Sequence, residues 1–483
     1  MILTDLTLTQ VLDGLRKKEF SATELASAYL ERIKKYGDTL NCYITQTPER
    51  ALKNAAESDA RYASGAALPL DGVPLGMKDL FATRGIRTTA ASKILENFIP
   101  EYESTISQRL ADAGCVLLGK TNLDEFAMGT HSKTSYFGAP VNPWKITERL
   151  SAGGSSGGST SAVAGGLALI ATGTDTGGSI RFPAAITGLV GFKPTYGVLS
   201  RFGCISFASS LDTPGTIARN VADTKLMFGA ITGFDKNDAT SANIVLSETP
   251  MKKHLKIGII KEFENIKIST DMRALMDAQI KSLTDAGAEI IEVSVPNILD
   301  ALAVYYVIAP AEASSNLARY DGMKYGLRVD GADVNDTYKK TRTAGFGEEV
   351  QRRMIVGTAV LASQSYDVYF LQAARVRAMI TAAFDRVFEQ CDFVLCPSSA
   401  GSAVPLASEM SVLENYALDM FTVAMNLAGL PAVSVPVGMD ANGLPLGVQV
   451  VGRRFSDLDV LNIAQRIEEF VKFDNRPSVI LGD

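Results

Sequence analysis

Three residues stand out for the chemistry they could do together. Lys78 sits in DGVPLGMKDL, Ser155 in SAGGSSGGS, and Ser179 in GTDTGGSIRFPAA, 24 residues after Ser155. Taken singly, each has a plain reading: the Gly/Ser loops as turns or a phosphate cradle, Lys78 as a surface lysine. Taken together, they offer a nucleophilic hydroxyl and an amine that becomes a base once it is neutral. A lysine titrates near 10.4 in water, so burial or neighbouring donors must lower that value. The chain holds only two histidines, His131 and His254. Histidine is the commonest general base and metal ligand, so an enzyme built from this chain must find its base elsewhere.

Two other motifs match by letter and fail on context. Gly114 to Thr121 reads GCVLLGKT, which fits the P-loop spacing. A P-loop follows a strand and holds flexible residues whose amides wrap a phosphate, whereas Cys115, Val116, Leu117 and Leu118 read as the strand itself. GGSSGGS fits the nucleophile-elbow pattern GxSxG in two registers, but that fold needs a later histidine, and only His254 follows, at the start of a predicted strand. There is no HExxH, no metal-spaced cluster and no GxGxxG opening a clear strand–helix unit, so no metal or dinucleotide site is expected.

The elements that must position these residues are legible in outline. Thr7 with Gln10, and Ser21 with Glu24, make capping boxes that open two amphipathic helices within residues 1–60. Leu8, Val11, Leu12 and Leu15 share one face of the first; Leu25, Tyr29 and Ile33 follow in the second. Residues 71–219 are dense in Gly, Ser and Thr, with short apolar runs such as CVLLG and LALIATG that read as buried strands of a parallel or mixed sheet. Residues 253–483 open as a βαβ unit: LKIGII, a helix over 271–286 ended by Gly287, then AEIIEVSVP. A long helix is expected over 368–390, leading into DFVLCP. With no repeat or linker, the chain reads as one α/β domain over 1–483, with helices on both sheet faces.

Bulk properties narrow the setting. The net charge of −6 gives no electrostatic case for direct, sequence-independent nucleic-acid binding. Five cysteines, an odd number with no CxxC pair, read as reduced thiols of a cytoplasmic protein. The start MILTDLTLTQ lacks the basic and apolar regions of a signal peptide, and no apolar stretch reaches the ~18 residues of a membrane span.

GGSSGGS followed by DTGGSIR, with the lysine of GVPLGMKD, resembles the amidase-signature family. That resemblance implies an α/β/α sandwich with a central mixed β-sheet and a Ser–cisSer–Lys triad. Ser179 would attack an amide carbonyl, Ser155 would relay the proton after a cis peptide at Gly154-Ser155, and Lys78 would be the base. Thr176, Gly177 and Gly178 resemble the family's oxyanion loop, where backbone N–H groups must come close without side chains in the way. Asp175 and Arg181 would brace that loop as an ion pair.

Further segments, among them GKTNLDEFAMGT, EASSNLARYDGMKYG, GFGEEVQRR and NLAGLPAVSVPVG, resemble the A subunits of glutamine-dependent amidotransferases acting on Glu-tRNA and Asp-tRNA. The likeness implies that glutamine is hydrolysed here and its ammonia passed on. The receiver would be a larger partner that binds the tRNA and uses ATP and Mg, beside a small third subunit. This chain itself would need no cofactor. Glutamine's carboxylate and ammonium each need a partner when desolvated. By position, Arg353, Asp419 and Tyr305 resemble the family's glutamine-binding residues, with Arg352 and Tyr306 as the neighbouring registers. The sequence departs from the family at Leu80, Phe182 and Thr213-Pro-Gly215. Phe182 leaves a second reading open, a free-standing amidase acting on small or aromatic amides.

Overall fold

Eleven strands form one mixed sheet in the computed structural model, which describes residues 2–250, 252 and 254–477. Of the segments read from sequence, Met1, Met251, Lys253 and residues 478–483 lie outside the described residues. In chain order the strands are β1 (Tyr43–Gln46), β2 (Pro74–Lys78), β3 (Val116–Thr121), β4 (Ile170–Asp175), β5 (Val190–Lys193) and β6 (Thr213–Ala218). They continue with β7 (Lys256–Ile260), β8 (Glu289–Val293), β9 (Phe393–Pro397), β10 (Ala432–Met439) and β11 (Pro445–Val451). Their spatial order is β1-β3-β2-β4-β6-β5-β10-β11-β9-β7-β8.

The sheet has two parallel wings and an antiparallel middle, with β1 added antiparallel to β3 at one edge. β2 runs parallel to β3 and β4, and β7 runs parallel to β8 and β9. Between the wings, β4, β6, β5, β10, β11 and β9 pair antiparallel in succession. Every residue of β2, β3, β4, β5, β6, β9 and β11 is buried. Successive strand residues point to opposite faces, so unbroken burial means that helices cover both faces. The edge strands β1 and β8 are half-exposed, as edges of such a sheet should be. The fold is thus α/β with a mixed central sheet, as its sequence leads one to expect.

Both capping boxes are present, on helices Leu8–Lys17 and Ala22–Leu40. A third N-terminal helix, Pro48–Ser64, buries only Ala51, Ala55 and Ser58 along its inner side, so its sequence carries no apolar stripe. The βαβ helix spans Thr270–Asp285. The long helix starts later than the apolar pattern suggests: a π-helical turn over Tyr366–Leu371 precedes Gln372–Gln390.

Candidate active site

Lys78 ends β2, between β3 and β4, and its side chain is fully buried. Its Nζ lies 2.8 Å from each of three hydroxyls: Ser155 Oγ, Ser156 Oγ and Thr174 Oγ1. Thr174 belongs to the adjacent β4, so the sheet itself sets one side of this cage. Burial lowers the lysine to about 7, with the more distant Asp124, Asp175 and Asp212 pulling weakly upward. An amine at that value is neutral often enough near pH 7 to accept a proton.

Ser155 follows a cis peptide at Gly154-Ser155 and precedes the helix Gly157–Ala164. Asp124 braces this loop from behind. Its carboxylate accepts the Ser132 N–H at 2.8 Å, and its own N–H donates to the Ser155 carbonyl at 3.2 Å. Ser132 in turn donates its hydroxyl to the Gly153 carbonyl at 2.9 Å. A side chain at Gly154 would start 2.1 Å from Asp124 Oδ2, so this position admits glycine alone.

Ser179 stands in the turn between β4 and the helix Arg181–Thr187, and is 8% exposed. The Ser156 N–H donates to its carbonyl at 3.2 Å, which ties the two serine loops together. Among the described residues the Ser179 hydroxyl makes no hydrogen bond, nor do the N–H groups of Gly177, Gly178 and Ser179. Three consecutive unengaged amides beside a partly exposed hydroxyl suit an incoming oxyanion. Gly178 has φ 148°, a conformation that favours glycine.

The loop is held by buried polar groups. Arg181 Nε and Nη2 each donate to the Asp175 carboxylate at 3.0 Å, and Nη1 donates to Gln449 Oε1 at 2.8 Å. Asn426 Nδ2 donates to Asp175 Oδ1 at 2.9 Å. Burial alone would raise Asp175, but Arg181 outweighs it and holds the carboxyl at about 2. Thr422 donates to the Gly177 carbonyl at 2.6 Å, and Thr176 to Asp212 Oδ1 at 2.8 Å.

The wall facing this loop comes from the second half of the chain. Tyr305, on helix Ala301–Asn316, is buried; a Cβ on Gly177 would stand 2.9 Å from its ring. Its neighbour Tyr306 donates its hydroxyl to Asp419 Oδ2 at 3.3 Å. Asp419 lies beside Gly178, whose added Cβ would stand 3.4 Å from its Oδ1. Burial raises Asp419 to about 7. Arg353, on helix Glu348–Leu361, points inward, with the rings of Phe207, Tyr306 and Tyr416 5.3–5.5 Å from its guanidinium carbon. Arg352 is 37% exposed and pairs with Glu348 and Glu349. A cavity of about 140 Å³ is lined by His131, Glu349, Arg352, Arg353 and Tyr416; Ser179 and Asp419 are not among its lining residues.

Lysine, both serines, the glycine loop, both tyrosines, Arg353 and Asp419 therefore converge, while Arg352 stays at the rim. Sequence reading missed Ser156, Thr174, Asp124, Thr422, Asn426, Gln449 and Glu349. Ser156 and Thr174 carried a signal, since they stand inside the two serine motifs; Asp124, Glu349 and Asn426 lie in segments read as family-like, with nothing local to single them out. The other motifs find structural uses. Lys120 of the P-loop match is buried in β3 and donates to the Phe81 carbonyl and Thr88 Oγ1, both at 2.8 Å. His131 Nδ1 lies 2.8 Å from Ser151 Oγ, and burial lowers the ring to about 4; His254 is exposed. Phe182 packs in a small apolar cluster with Trp144, Leu150 and Ile186. Among the described residues all five cysteines are free, no metal-binding cluster occurs, and no helix is long and apolar enough to cross a membrane.

Known proteins resemble this chain along its length. The family model described as Amidase matches residues 24–461. The chain is similar to the A subunit of glutamyl-tRNA(Gln) amidotransferase from Hyphomonas neptunium, 49% identical over 98% of this chain and 99% of that protein. The protein of the same name from Novosphingobium aromaticivorans is 50% identical over 99% of both. The crystal structure of the Thermotoga maritima protein, again the A subunit of glutamyl-tRNA(Gln) amidotransferase, superimposes with a TM-score of 0.80 at 35% identity, covering 98% of this chain and 96% of that one. With a model spanning most of its length and such relatives along all of it, this chain belongs to the amidase-signature family of enzymes.

Proposed function

We propose that this chain is the glutamine-hydrolysing A subunit of a cytoplasmic, tRNA-dependent amidotransferase. It releases ammonia that converts Glu-tRNA(Gln), Asp-tRNA(Asn) or both into Gln-tRNA(Gln) and Asn-tRNA(Asn). Full-length similarity to proteins named as A subunits of glutamyl-tRNA(Gln) amidotransferase supports the assignment. A larger tRNA-binding subunit with ATP and Mg, and a small third subunit, complete a heterotrimer. The amide transfer itself occurs there.

The observation that carries the chemistry is the buried Lys78, lowered to about 7, 2.8 Å from Ser155 Oγ and without a carboxylate among its hydrogen-bond partners. Ser179 Oγ attacks the side-chain amide carbon of glutamine. Its proton passes to Ser155, whose own proton passes to Lys78 Nζ. The carbonyl oxygen becomes an oxyanion and takes hydrogen bonds from the amides of the Thr176–Gly178 loop and Ser179. Collapse breaks the C–N bond; the nitrogen takes a proton from Ser155, Lys78 resupplies it, and ammonia leaves. Water attacks the acyl-enzyme along the same proton path, and glutamate departs. Arg353 holds the glutamine carboxylate, Asp419 the ammonium, and Tyr305 borders the amide-bearing arm.

The test is Ser179→Ala in the purified complex. Ammonia release from glutamine is expected to fall by roughly 10⁴-fold or more, while ammonium chloride still supports amidation of Glu-tRNA. Loss of both reactions, or retention of glutamine hydrolysis, would overturn the assignment. A chain purified without partners that hydrolyses small or aromatic amides would point instead to a free-standing amidase.

A further inference from the structure

Glu349 occupies an unusual place for a carboxylate in the first turn of a helix. Its neighbour Glu348 is 89% exposed, whereas the Glu349 side chain is 14% exposed and turned toward the substrate wall. It stands three residues before Arg352 and four before Arg353, spacings that bring side chains together on one helix face. Glu349 Oε1 accepts hydrogen bonds from Arg353 Nε at 2.8 Å and from the Tyr416 hydroxyl at 3.0 Å; Oε2 accepts one from Arg352 Nη1.

The Arg353 bond has a directional consequence. A guanidinium carries five donors in a rigid plane, so fixing Nε from behind fixes where the two terminal nitrogens point. Those nitrogens make no hydrogen bond among the described residues, although Arg353 is only 4% exposed. Three aromatic rings surround the group, so the free donors are left for an anionic ligand.

A second branch starts at the same oxygen. The ring of Tyr416 stacks on Tyr306, with centroids 3.7 Å apart and planes 16° from parallel. The Tyr306 hydroxyl donates to Asp419 Oδ2. One carboxylate therefore anchors a cation at the end of one branch and, through two rings, an anion at the end of the other.

We propose that Glu349 is the positioning residue that sets this wall for a free α-amino acid, holding Arg353 and the Tyr306–Asp419 pair at matched stations for a carboxylate and an ammonium. The proposal rests on the glutamine reading above. Glu349 does not touch substrate; it makes the site select amides that carry both charged ends.

The test uses the purified complex with Glu349→Gln, which keeps the shape and removes the charge, and Tyr416→Phe, which keeps the stacking and removes the hydroxyl. Two quantities are read: kcat and KM for glutamine, and the rate at which a small neutral fluorophosphonate labels Ser179. Glu349→Gln is expected to raise the glutamine KM by roughly 10–100-fold, the range for losing a hydrogen bond to a charged group, with kcat and labelling rate little changed. Tyr416→Phe should shift KM the same way by less, and Glu349→Asp should restore part of the loss. A parallel fall in labelling would mark a merely structural role and overturn the proposal, as would an unchanged KM. A wild-type complex that is labelled at Ser179 yet leaves glutamine intact would overturn the glutamine reading, and this proposal with it.

Discussion

Lys78 and Arg353 are both cations by composition and both buried, but their surroundings act on them in opposite senses. Lys78 meets three hydroxyls, and its Nζ has no carboxylate partner within hydrogen-bonding reach, so burial wins and the amine drops to about 7. Burial also works against the charge on Arg353, but the Glu349 carboxylate at 2.8 Å favours it, and the guanidinium stays above its ordinary value. A base must be able to lose its proton, whereas a group that recognises a carboxylate must never lose it. The same desolvation acts on both ends, and the choice of neighbour decides the outcome. The supports differ too. The lysine end rests on central strands and glycine loops buried throughout, the arginine end on helices with exposed outer faces.

The comparison is broken most forcefully at the lysine. Lys78→Met should lower glutamine hydrolysis by roughly 10⁴-fold and slow fluorophosphonate labelling of Ser179 in parallel, while glutamine KM barely moves. A variant retaining a tenth of wild-type kcat would show that the proton goes elsewhere.

Arg181, a buried cation paired like Arg353, tests stability instead of rate. Arg181→Met leaves Asp175 buried without its partner, a loss of roughly 3–5 kcal/mol. A melting temperature within a degree of wild type would contradict that account.

At the substrate wall, Asp419→Asn should raise glutamine KM by roughly 10–100-fold, equivalent to ~1.5–3 kcal/mol, with little change in kcat or labelling. Equal losses in KM and kcat would place Asp419 in the chemistry and blur the division between the two ends.

The finest distinction lies in the pH profile. On the proposed mechanism Lys78 acts when neutral and Asp419 when ionised, so both become competent as pH rises through about 7. In wild type, kcat/KM for glutamine should therefore fall on the acid side with a slope approaching two. In Asp419→Asn it should fall with a slope of one, a roughly ten-fold difference one unit below the midpoint. A single slope in both proteins would remove Asp419 from ammonium binding.

The residues of the two serine loops were legible because their types and spacing are unusual together. Elements closed by local bonds were legible too: the capping boxes at Thr7 and Ser21 span only four residues each. The strand order was not. It places β9 between β11 and β7, which no local pattern encodes. The supports of the site were hidden for the same reason. Asp124, Thr422 and Gln449 are ordinary polar residues in their own segments, and only tertiary packing brings them to the loops. The Tyr305 and Tyr306 alternatives arose because adjacent helical residues point about 100° apart; in the fold one borders Gly177 and the other bonds Asp419. Glu349 stands in the charged run EEVQRR with nothing local to single it out, and the Tyr416 hydroxyl it accepts from is 67 residues away.

The oxyanion loop has a consequence for how the enzyme is born. Thr422, Asn426 and Gln449, which fasten Gly177, Asp175 and Arg181, lie 245 to 268 residues downstream of the groups they hold. Chains fold as they leave the ribosome, the amino-terminal parts first. Lys78, Ser155 and Ser179 thus emerge long before their loop can be fastened. A nascent or prematurely ended chain carries Lys78, Ser155 and Ser179 without the residues that fasten their loop, so the site is assembled only once synthesis has nearly finished.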